Sequence, residues 1–237
     1  MRVLVVSDIH GNWPALHAVA AVPHDAVLCL GDVVGYGPQP AECLRWLRAS
    51  GAVMVQGNHD RSVAEGVPPR CRPDFEWLAD ATRDVARRQL TEEETSFLRT
   101  LPPRREVSVD GRRLVLLHAA PADPLYGYLG PDADAWREAV ASMPADLVLV
   151  GHTHLQFHLR LGSVDVVNPG SLGQPKDGDP RAAYAILEDG VPRLERSSYA
   201  VERTAEALAA AGVAPAALTA LTALLRTGRL DALPRGR

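Results

Sequence analysis

Carboxylate, imidazole and amide side chains follow the ends of short apolar runs at five places in this sequence. Asp8 and His10 come directly after the apolar residues 3–6. Four further groups follow apolar runs in the same way: Asp32; Asn58, His59 and Asp60; His118; and His152 with His154. Five of the eight histidines lie at these points, a concentration that random scatter would not produce. Because carboxylate oxygens, amide oxygens and imidazole nitrogens all bind metal ions, the sequence predicts a metal site.

The ligand types indicate which metals would bind. Mixed carboxylate, amide and imidazole ligands without a thiolate favour manganese, iron or magnesium over structural zinc. The set is too large for one catalytic ion and suits two ions that share a carboxylate. Two ions about 3.5–4 Å apart lower the pKa of a water between them, and the resulting hydroxide attacks phosphorus in line.

The elements that must position these residues alternate between strand and helix. Apolar runs predict strands over 3–7, 26–30 and 52–55, and helices over 13–22 and 40–50. This alternation is typical of a parallel sheet in an α/β fold. The carboxyl ends of parallel strands meet at one edge, which would bring the polar groups together. At 237 residues, the chain fits a single domain over residues 1–237.

Residues 61–105 interrupt this alternation. We expect helices over 74–89 and from Thr91, which opens a capping box, to residue 100. The segment is rich in arginine, and most of these side chains are expected on solvated helix faces. A helical insertion directly after residues 58–60 is also well placed to overhang the site, where one arginine could bind a phosphate. Hairpins are predicted over 106–117, 155–167 and 182–199, followed by a helical tail over 201–237.

Bulk properties exclude several classes of protein. The net charge of −4 and the lack of a basic stripe disfavour a nucleic-acid partner, and with it a nuclease. The three cysteines, Cys29, Cys43 and Cys71, lack the spacing of a disulfide framework or zinc knuckle. Lys176 is the only lysine, a bias that we attribute to composition. No secretory leader or bilayer-length apolar run is evident, so we expect a cytoplasmic protein without a membrane partner.

The five motifs together resemble the calcineurin-like metallophosphoesterase family: Asp8-x-His10, Gly31-Asp32, Gly57-Asn58-His59-Asp60, His118 and Gly151-His152-x-His154. The resemblance runs over roughly the whole chain. Residues 35–38, residues 168–171 and the terminal helices resemble the small bacterial phosphodiesterase branch of this family. The resemblance implies a four-layer α/β/β/α sandwich of two mixed sheets flanked by helices.

The resemblance also implies a role for each residue. The first metal ion would be held by Asp8, His10, Asp32 and His154. The second would be held by Asp32, Asn58, His118 and His152, so that Asp32 bridges the two. His59 would contact the phosphate and protonate the leaving oxygen, which makes Asp32 and His59 the predicted catalytic residues. Asp60 either holds the loop or orients an imidazole. The expected cofactors are two divalent ions, with Mn²⁺ favoured and Fe, Mg²⁺, Ni²⁺ or Zn²⁺ also compatible.

The sequence departs from this family at two positions. Protein phosphatases and diadenosine tetraphosphatases of this family carry the sequence GDxxDRG at the second motif. This chain has Gly35 where that motif has its second Asp, and Tyr36 where it has Arg. The missing Asp leaves open what orients His59. The missing Arg, which grips a phosphate dianion in these enzymes, weakens the interpretation as a protein phosphatase or a dinucleotide polyphosphatase. We therefore expect a phosphodiesterase for a nucleotide-like or small organic diester. The alternatives are a phosphomonoesterase or dinucleotide polyphosphatase, or a metal-binding scaffold without turnover.

Overall fold

Strands and helices alternate over the first part of the chain, as the apolar pattern predicts. The computed structural model describes residues 1–229. Its first elements are β1 (Arg2–Val6), α1 (Trp13–Ala20), β2 (Ala26–Cys29), α2 (Pro40–Ala49) and β3 (Val53–Met54). β1 pairs with β2 and β2 with β3, both in parallel. The Asn12 side chain accepts a hydrogen bond from the backbone N–H of Ala15 and so starts α1 directly after the β1 loop.

The insertion contains one helix more than the sequence indicates. It comprises α3 (Asn58–Glu65), α4 (Pro73–Gln89) and α5 (Glu92–Thr100). The sequence analysis missed α3 because this short segment lacks an apolar period and begins with three polar residues. The carboxylate of Asp60 accepts the backbone N–H of Gly57 at 3.0 Å, which caps the helix start.

The remaining strands complete two mixed sheets. They are β4 (Arg104–Val109), β5 (Arg112–Leu117), β6 (Leu147–Leu149), β7 (Gln156–Arg160), β8 (Asp165–Pro169), β9 (Ala182–Glu188) and β10 (Val191–Ser197), with α6 (Ala133–Val140) before β6. One sheet has the order β10-β9-β1-β2-β3 and the other β4-β5-β6-β8-β7. The hairpin of β9 and β10 joins β1 in antiparallel pairing, while β5, β6 and β8 run parallel in the second sheet.

Alternation along the strands fills the space on both sides of each sheet. Val3 and Val5 point towards the second sheet, where they pack with Leu114 and Leu116. The intervening residues of β1 pack instead against Leu16 of α1 and Leu44 of α2. On the far face of the second sheet, Val115 and Leu117 pack with Trp136 of α6. The predicted four-layer α/β/β/α sandwich is therefore confirmed.

Two C-terminal helices, α7 (Val201–Ala210) and α8 (Pro215–Thr227), pack against each other, and α8 also packs against α4 of the insertion. Leu221 and Leu224 of α8 share an apolar cluster with Phe75 and Leu78 of α4 and with Tyr36 from the loop after β2. This cluster ties the insertion to that loop. Residues 230–237 of the predicted helical tail lie outside the described residues. Within residues 1–229, no helix is both long and apolar enough to span a membrane.

Candidate metal centre

The loops after the strands bring the predicted ligands to one edge of the molecule, and they do so in an unusual backbone conformation. Five of these residues have positive φ angles: Asp8 (52°), His10 (49°), Asp32 (52°), His152 (64°) and His154 (59°). Residues other than glycine seldom adopt this left-handed region, and each instance costs about 1–3 kcal/mol. Such strain concentrates at functional sites, because the surrounding structure must hold it in place.

Two of the histidines face each other with their lone pairs. Nε2 of His10 lies 3.2 Å from Nε2 of His154. The Nδ1 atoms lie against backbone carbonyl oxygens, at 3.1 Å from Val34 for His10 and 2.5 Å from Gln174 for His154. A carbonyl oxygen only accepts hydrogen bonds, so each Nδ1 carries the proton. Both Nε2 atoms are then acceptors, and a cation between them would satisfy both.

Asp8 completes this first cluster. Its Oδ2 accepts hydrogen bonds from the Ser7 hydroxyl at 2.6 Å and from the backbone N–H of His152 at 3.0 Å. Its Oδ1 is buried and has no hydrogen-bond partner within residues 1–229, and it lies 3.4 Å from Nε2 of His154. A buried carboxylate oxygen is costly to leave unpaired. Asp8, His10 and His154 therefore fit a metal ion.

A second cluster forms around the amide of Asn58. Nδ1 of His118 lies 2.8 Å from the backbone carbonyl of Leu30, and Nε2 of the same ring lies 3.0 Å from Asn58 Oδ1. The same Oδ1 lies 3.2 Å from Nδ1 of His152. Asn58 Nδ2 donates to the Pro69 carbonyl at 2.8 Å, which turns Oδ1 towards the histidines. The amide oxygen and one ring nitrogen of each histidine therefore converge on one place.

Asp32 lies between the two clusters. Its Oδ2 is 3.3 Å from Nε2 of His118 and 3.8 Å from Nε2 of His10. Its Oδ1 accepts the backbone N–H of His59 at 2.8 Å, which fixes the carboxylate. Asp32, His118 and His152 form a second group that could hold a metal ion. One carboxylate oxygen thus has the position that a bridging ligand would need.

The protonation of these side chains suits metal binding. Burial lowers the pKa of His152 to about 3 and holds the pKa values of His10 and His154 well below the usual range, so these imidazoles are neutral. Burial also opposes protonation of His118, but the carboxylate of Asp32 outweighs it and raises the pKa of His118 to about 9. In the metal-free site a proton therefore lies between His118 and Asp32, and a metal ion at this place would displace it.

A cavity of about 220 Å³ opens above both clusters. Five of the predicted site residues line it: Asp32, Asn58, His59, His152 and His154. Asp8, His10 and His118 are buried and do not line it. The cavity is also lined by largely apolar side chains and by two cationic ones, Arg72 and Lys176; the others are Tyr36, Cys71, Phe75, Tyr128, Thr153 and Leu155. Such a lining suits a small ligand with an apolar or aromatic group.

Comparison with known proteins supports the same assignment. The model of the calcineurin-like phosphoesterase superfamily domain matches residues 1–189, which is most of the chain. This chain belongs to the calcineurin-like phosphoesterase superfamily. Two curated relatives are an uncharacterized protein of Methanocaldococcus jannaschii, 30% identical over 86% of this chain and 90% of its own length, and the phosphodiesterase YfcE of Escherichia coli, 27% identical over 81% and 89%.

A solved structure of a metallophosphoesterase has the same fold as this chain. A metallophosphoesterase from Sphaerobacter thermophilus is 30% identical, covers 96% of this chain and 100% of its own, and superposes with a TM-score of 0.81. The resemblance seen in the motifs is therefore confirmed. Two groups of metal-binding side chains are also what a member of this phosphoesterase superfamily would require.

In this phosphoesterase, His59 is oriented by packing rather than by a carboxylate. Its ring centroid lies 4.6 Å from that of Tyr36 and 5.1 Å from that of His10. A Cβ atom at position 35 would lie 2.8 Å from Nδ1 of His59, so only glycine admits this ring position. The two departures from the phosphatase pattern thus act together: Gly35 makes room for the imidazole, and Tyr36 packs against it.

Asp60 holds the loop. Its carboxylate accepts the backbone N–H groups of Asp32, Val33, Val34 and Gly57 at 2.9, 2.8, 3.2 and 3.0 Å. Within residues 1–229, it makes no hydrogen bond to an imidazole. Of the two roles that the sequence left open, the structure shows the loop-holding one.

The arginines of the insertion lie mostly where the sequence analysis expects them. Arg61, Arg83 and Arg99 form ion pairs with Glu65, Asp80 and Glu92 on helix surfaces. Arg72 alone among the insertion arginines of the described chain lines the cavity, and it lies 3.4 Å from Asp74. The sequence analysis missed Lys176, which it had attributed to compositional bias. Lys176 is the single lysine of the chain and lies six residues after Gly170. Neither feature of the sequence indicates that its side chain lines the cavity.

Proposed function

We propose that this phosphoesterase binds two divalent metal ions and hydrolyses phosphodiesters. Asp8, His10, Asp32 and His154 would hold the first ion, and Asp32, Asn58, His118 and His152 the second. The observation that carries the proposal is the convergence of carboxylate, amide and imidazole ligand atoms on both sides of Asp32 Oδ2, which lies 3.3 Å from Nε2 of His118 and 3.8 Å from Nε2 of His10. Two cations that share this oxygen would satisfy all of them.

The donor set supports Mn²⁺ as the preferred ion. All candidate donors are oxygen or imidazole nitrogen, and a thiolate is absent from both groups. Such ligands suit Mn²⁺, Fe and Mg²⁺, while Ni²⁺ and Zn²⁺ are also compatible. The backbone carbonyls of Val34, Gln174 and Leu30 would orient the imidazoles, as outer partners of metal-bound histidines usually do.

When bound, the ions would supply positive charge for the phosphoryl oxygens and lower the pKa of water. The residues of this chain would do the rest. His59 lines the cavity and would donate a hydrogen bond to the phosphoryl group and a proton to the leaving oxygen. Burial lowers the pKa of His59 to about 4, so the negative charge of a bound phosphate must raise that value before the transfer.

The cavity walls support a diester substrate. Tyr36 occupies the position of the arginine that grips a phosphate dianion in related phosphatases, which suits the single charge of a diester. Tyr36, Phe75, Tyr128 and Leu155 provide apolar surface for organic groups. The relative YfcE, which this chain matches over 89% of its length, carries the name phosphodiesterase.

A comparison of two chromogenic esters tests this function. The protein is treated with a chelator, reloaded with Mn²⁺, and assayed with bis-p-nitrophenyl phosphate and p-nitrophenyl phosphate. We expect the larger kcat/KM for the diester and loss of both activities on chelation. The Asp32→Asn variant, purified in parallel, controls for contaminating phosphatases. Faster hydrolysis of the monoester would identify a phosphomonoesterase. If the protein turned over neither ester after separate reloading with Mn²⁺, Fe, Mg²⁺, Ni²⁺ and Zn²⁺, a metal-binding scaffold would remain.

A further inference from the structure

The one lysine of the chain lies inside the cavity. Lys176 is half-buried, and its Nζ lies 4.1 Å from the ring centroid of Phe75 and 5.8 Å from that of Tyr36. In the part of the chain that the structure describes, its one contact of hydrogen-bond length is to Nε2 of His154, at 3.4 Å. Within residues 1–229, it forms no salt bridge, whereas Arg72, which lines the same cavity, pairs with Asp74. A partly desolvated ammonium is therefore held on two aromatic faces beside a candidate metal ligand.

Charge balance shows what this ammonium lacks. Asp8 and Asp32 lie in the two clusters, and a third buried carboxylate, Asp60, lies behind them and accepts the backbone N–H of Asp32. Two divalent ions would bring four positive charges, which would offset the attraction of these carboxylates for Lys176. Contact with aromatic rings is worth about 0.5–2 kcal/mol and does not replace a counter-ion. An anion bound in the cavity would offset both the ions and the lysine.

The segment that carries Lys176 is held firmly against the site. The backbone N–H groups of Leu172 and Gly173 donate to the carbonyls of Ser7 and Asp8, both at 3.0 Å. The backbone N–H of Gln174 donates to the Ser171 hydroxyl at 2.8 Å, while its carbonyl lies against His154. Pro175 then fixes the backbone directly before Lys176. This support orients the lysine towards the cavity before any ligand arrives.

We propose that Lys176 binds a non-bridging oxygen of the substrate phosphoryl group, a role that rests on the proposed phosphoesterase function. The cation would reach the phosphate from the loop after β8, whereas the arginine of related phosphatases would come from the loop after β2, where this chain has Tyr36. The Tyr36 hydroxyl is buried and without a hydrogen-bond partner in the described chain, and its ring packs under the ammonium. Phosphate recognition has in this way moved from one strand end to another.

Because the chain has one lysine, selective labelling gives a direct measurement. Protein grown with ¹³C,¹⁵N-lysine should show a single side-chain signal, which comes from Lys176, and the Lys176→Met variant confirms the assignment. Inorganic phosphate is added to the Mg²⁺-loaded protein at constant pH, and calorimetry follows its binding in parallel. We expect a saturable shift of the ¹³Cε signal with the calorimetric Kd. An unchanged signal while phosphate binds, or no phosphate binding at all, would overturn the proposal.

Kinetics separates this proposal from the function on which it rests. Lys176→Met keeps the aliphatic contact with Phe75 but removes the charge, so KM for bis-p-nitrophenyl phosphate should rise roughly tenfold with a smaller change in kcat. Lys176→Arg should restore most of the loss. Arg88→Met, on the exposed face of α4, is the matched control and should behave like the wild type.

An unchanged KM in an active Lys176→Met variant would refute the role of Lys176 and leave the phosphoesterase function intact. If the wild type hydrolysed neither ester, the function would fail, while the labelled lysine would still decide whether Lys176 binds phosphate.

Discussion

At the scale of single residues, the site is a set of side chains whose other hydrogen bonds are already made. His10, His118 and His154 each direct one ring nitrogen to a backbone carbonyl, and Asp8 satisfies one carboxylate oxygen and not the other. The second ring nitrogens of His10 and His154 face each other, and Asp8 Oδ1 beside them has no hydrogen-bond partner within residues 1–229. This arrangement distinguishes a candidate metal centre from a buried polar network, in which donors and acceptors would pair.

The first prediction concerns His59, which we place at the phosphate and not at a metal ion. His59→Ala should keep the wild-type metal content and lose about 10²-fold or more in kcat, which is the usual contribution of a general acid. The loss should be larger for a diester with an alkyl leaving group than for one that releases p-nitrophenol, since the better leaving group needs less protonation. Metal analysis by mass spectrometry is the control. Loss of an ion from this variant would mean that His59 is itself a ligand.

Residue-level sequence reasoning identified the side chains of both groups, because their types and their places after apolar runs are visible in the sequence. It did not identify how His59 is oriented, since the answer is the space left by Gly35 and the ring of Tyr36. Lys176 was missed for a similar reason. Its distance to His154 depends on two segments that meet only in the folded chain.

At the scale of elements, the loops after the strands approach one another so closely that side chains would not fit between them. A Cβ atom at Gly151 would lie 1.9 Å from the Ser7 hydroxyl and 2.8 Å from Asp8 Oδ2. The turn after β8 braces the same region, since Asn168 donates to the Gly151 carbonyl at 2.7 Å and Ser171 to the Asp8 carbonyl at 2.7 Å. The loop after β6 is therefore locked against the loop after β1.

Gly151→Ala tests this close approach. The added methyl group must displace Ser7 or Asp8, so we expect the free energy of unfolding to fall by about 1–3 kcal/mol, together with weaker metal binding. Urea denaturation and metal titration measure the two effects. Gly130→Ala is the matched control, because a Cβ there would meet nothing within 4 Å and should change neither quantity. Equal behaviour of the two variants would mean that the loops separate easily.

The strands, and the polar residues that follow them, were predictable from the sequence because buried strands are uniform apolar runs. Helix α3 and the left-handed loop residues were not, since both depend on tertiary contacts. The helix start depends on Asp60, which spans from Gly57 to the loop after β2. The positive φ angles of Asp8, Asp32 and the others cost energy locally and persist because neighbouring loops hold them.

At the scale of the whole molecule, the sandwich brings both sheets to one functional edge. The first sheet supplies Asp8, His10, Asp32 and Asn58 from the ends of its parallel strands, and the second supplies His118, His152 and His154. The insertion and the C-terminal helices then enclose the site, because α8 packs on α4 and α4 provides Phe75 to the cavity wall. The family resemblance predicted the two layers of sheet, whereas periodicity alone indicated only a parallel α/β arrangement.

The central claim is that two ions share the carboxylate of Asp32. A crystal structure of the Mn²⁺-loaded protein, with anomalous data collected at the manganese edge, tests it most directly, and an Asp32→Asn crystal prepared identically serves as the control. We predict two anomalous peaks about 3.5–4 Å apart. Both should lie within bonding distance of Asp32, and at least one should be lost in the variant. A single peak, or two peaks of which neither contacts Asp32, would contradict the account.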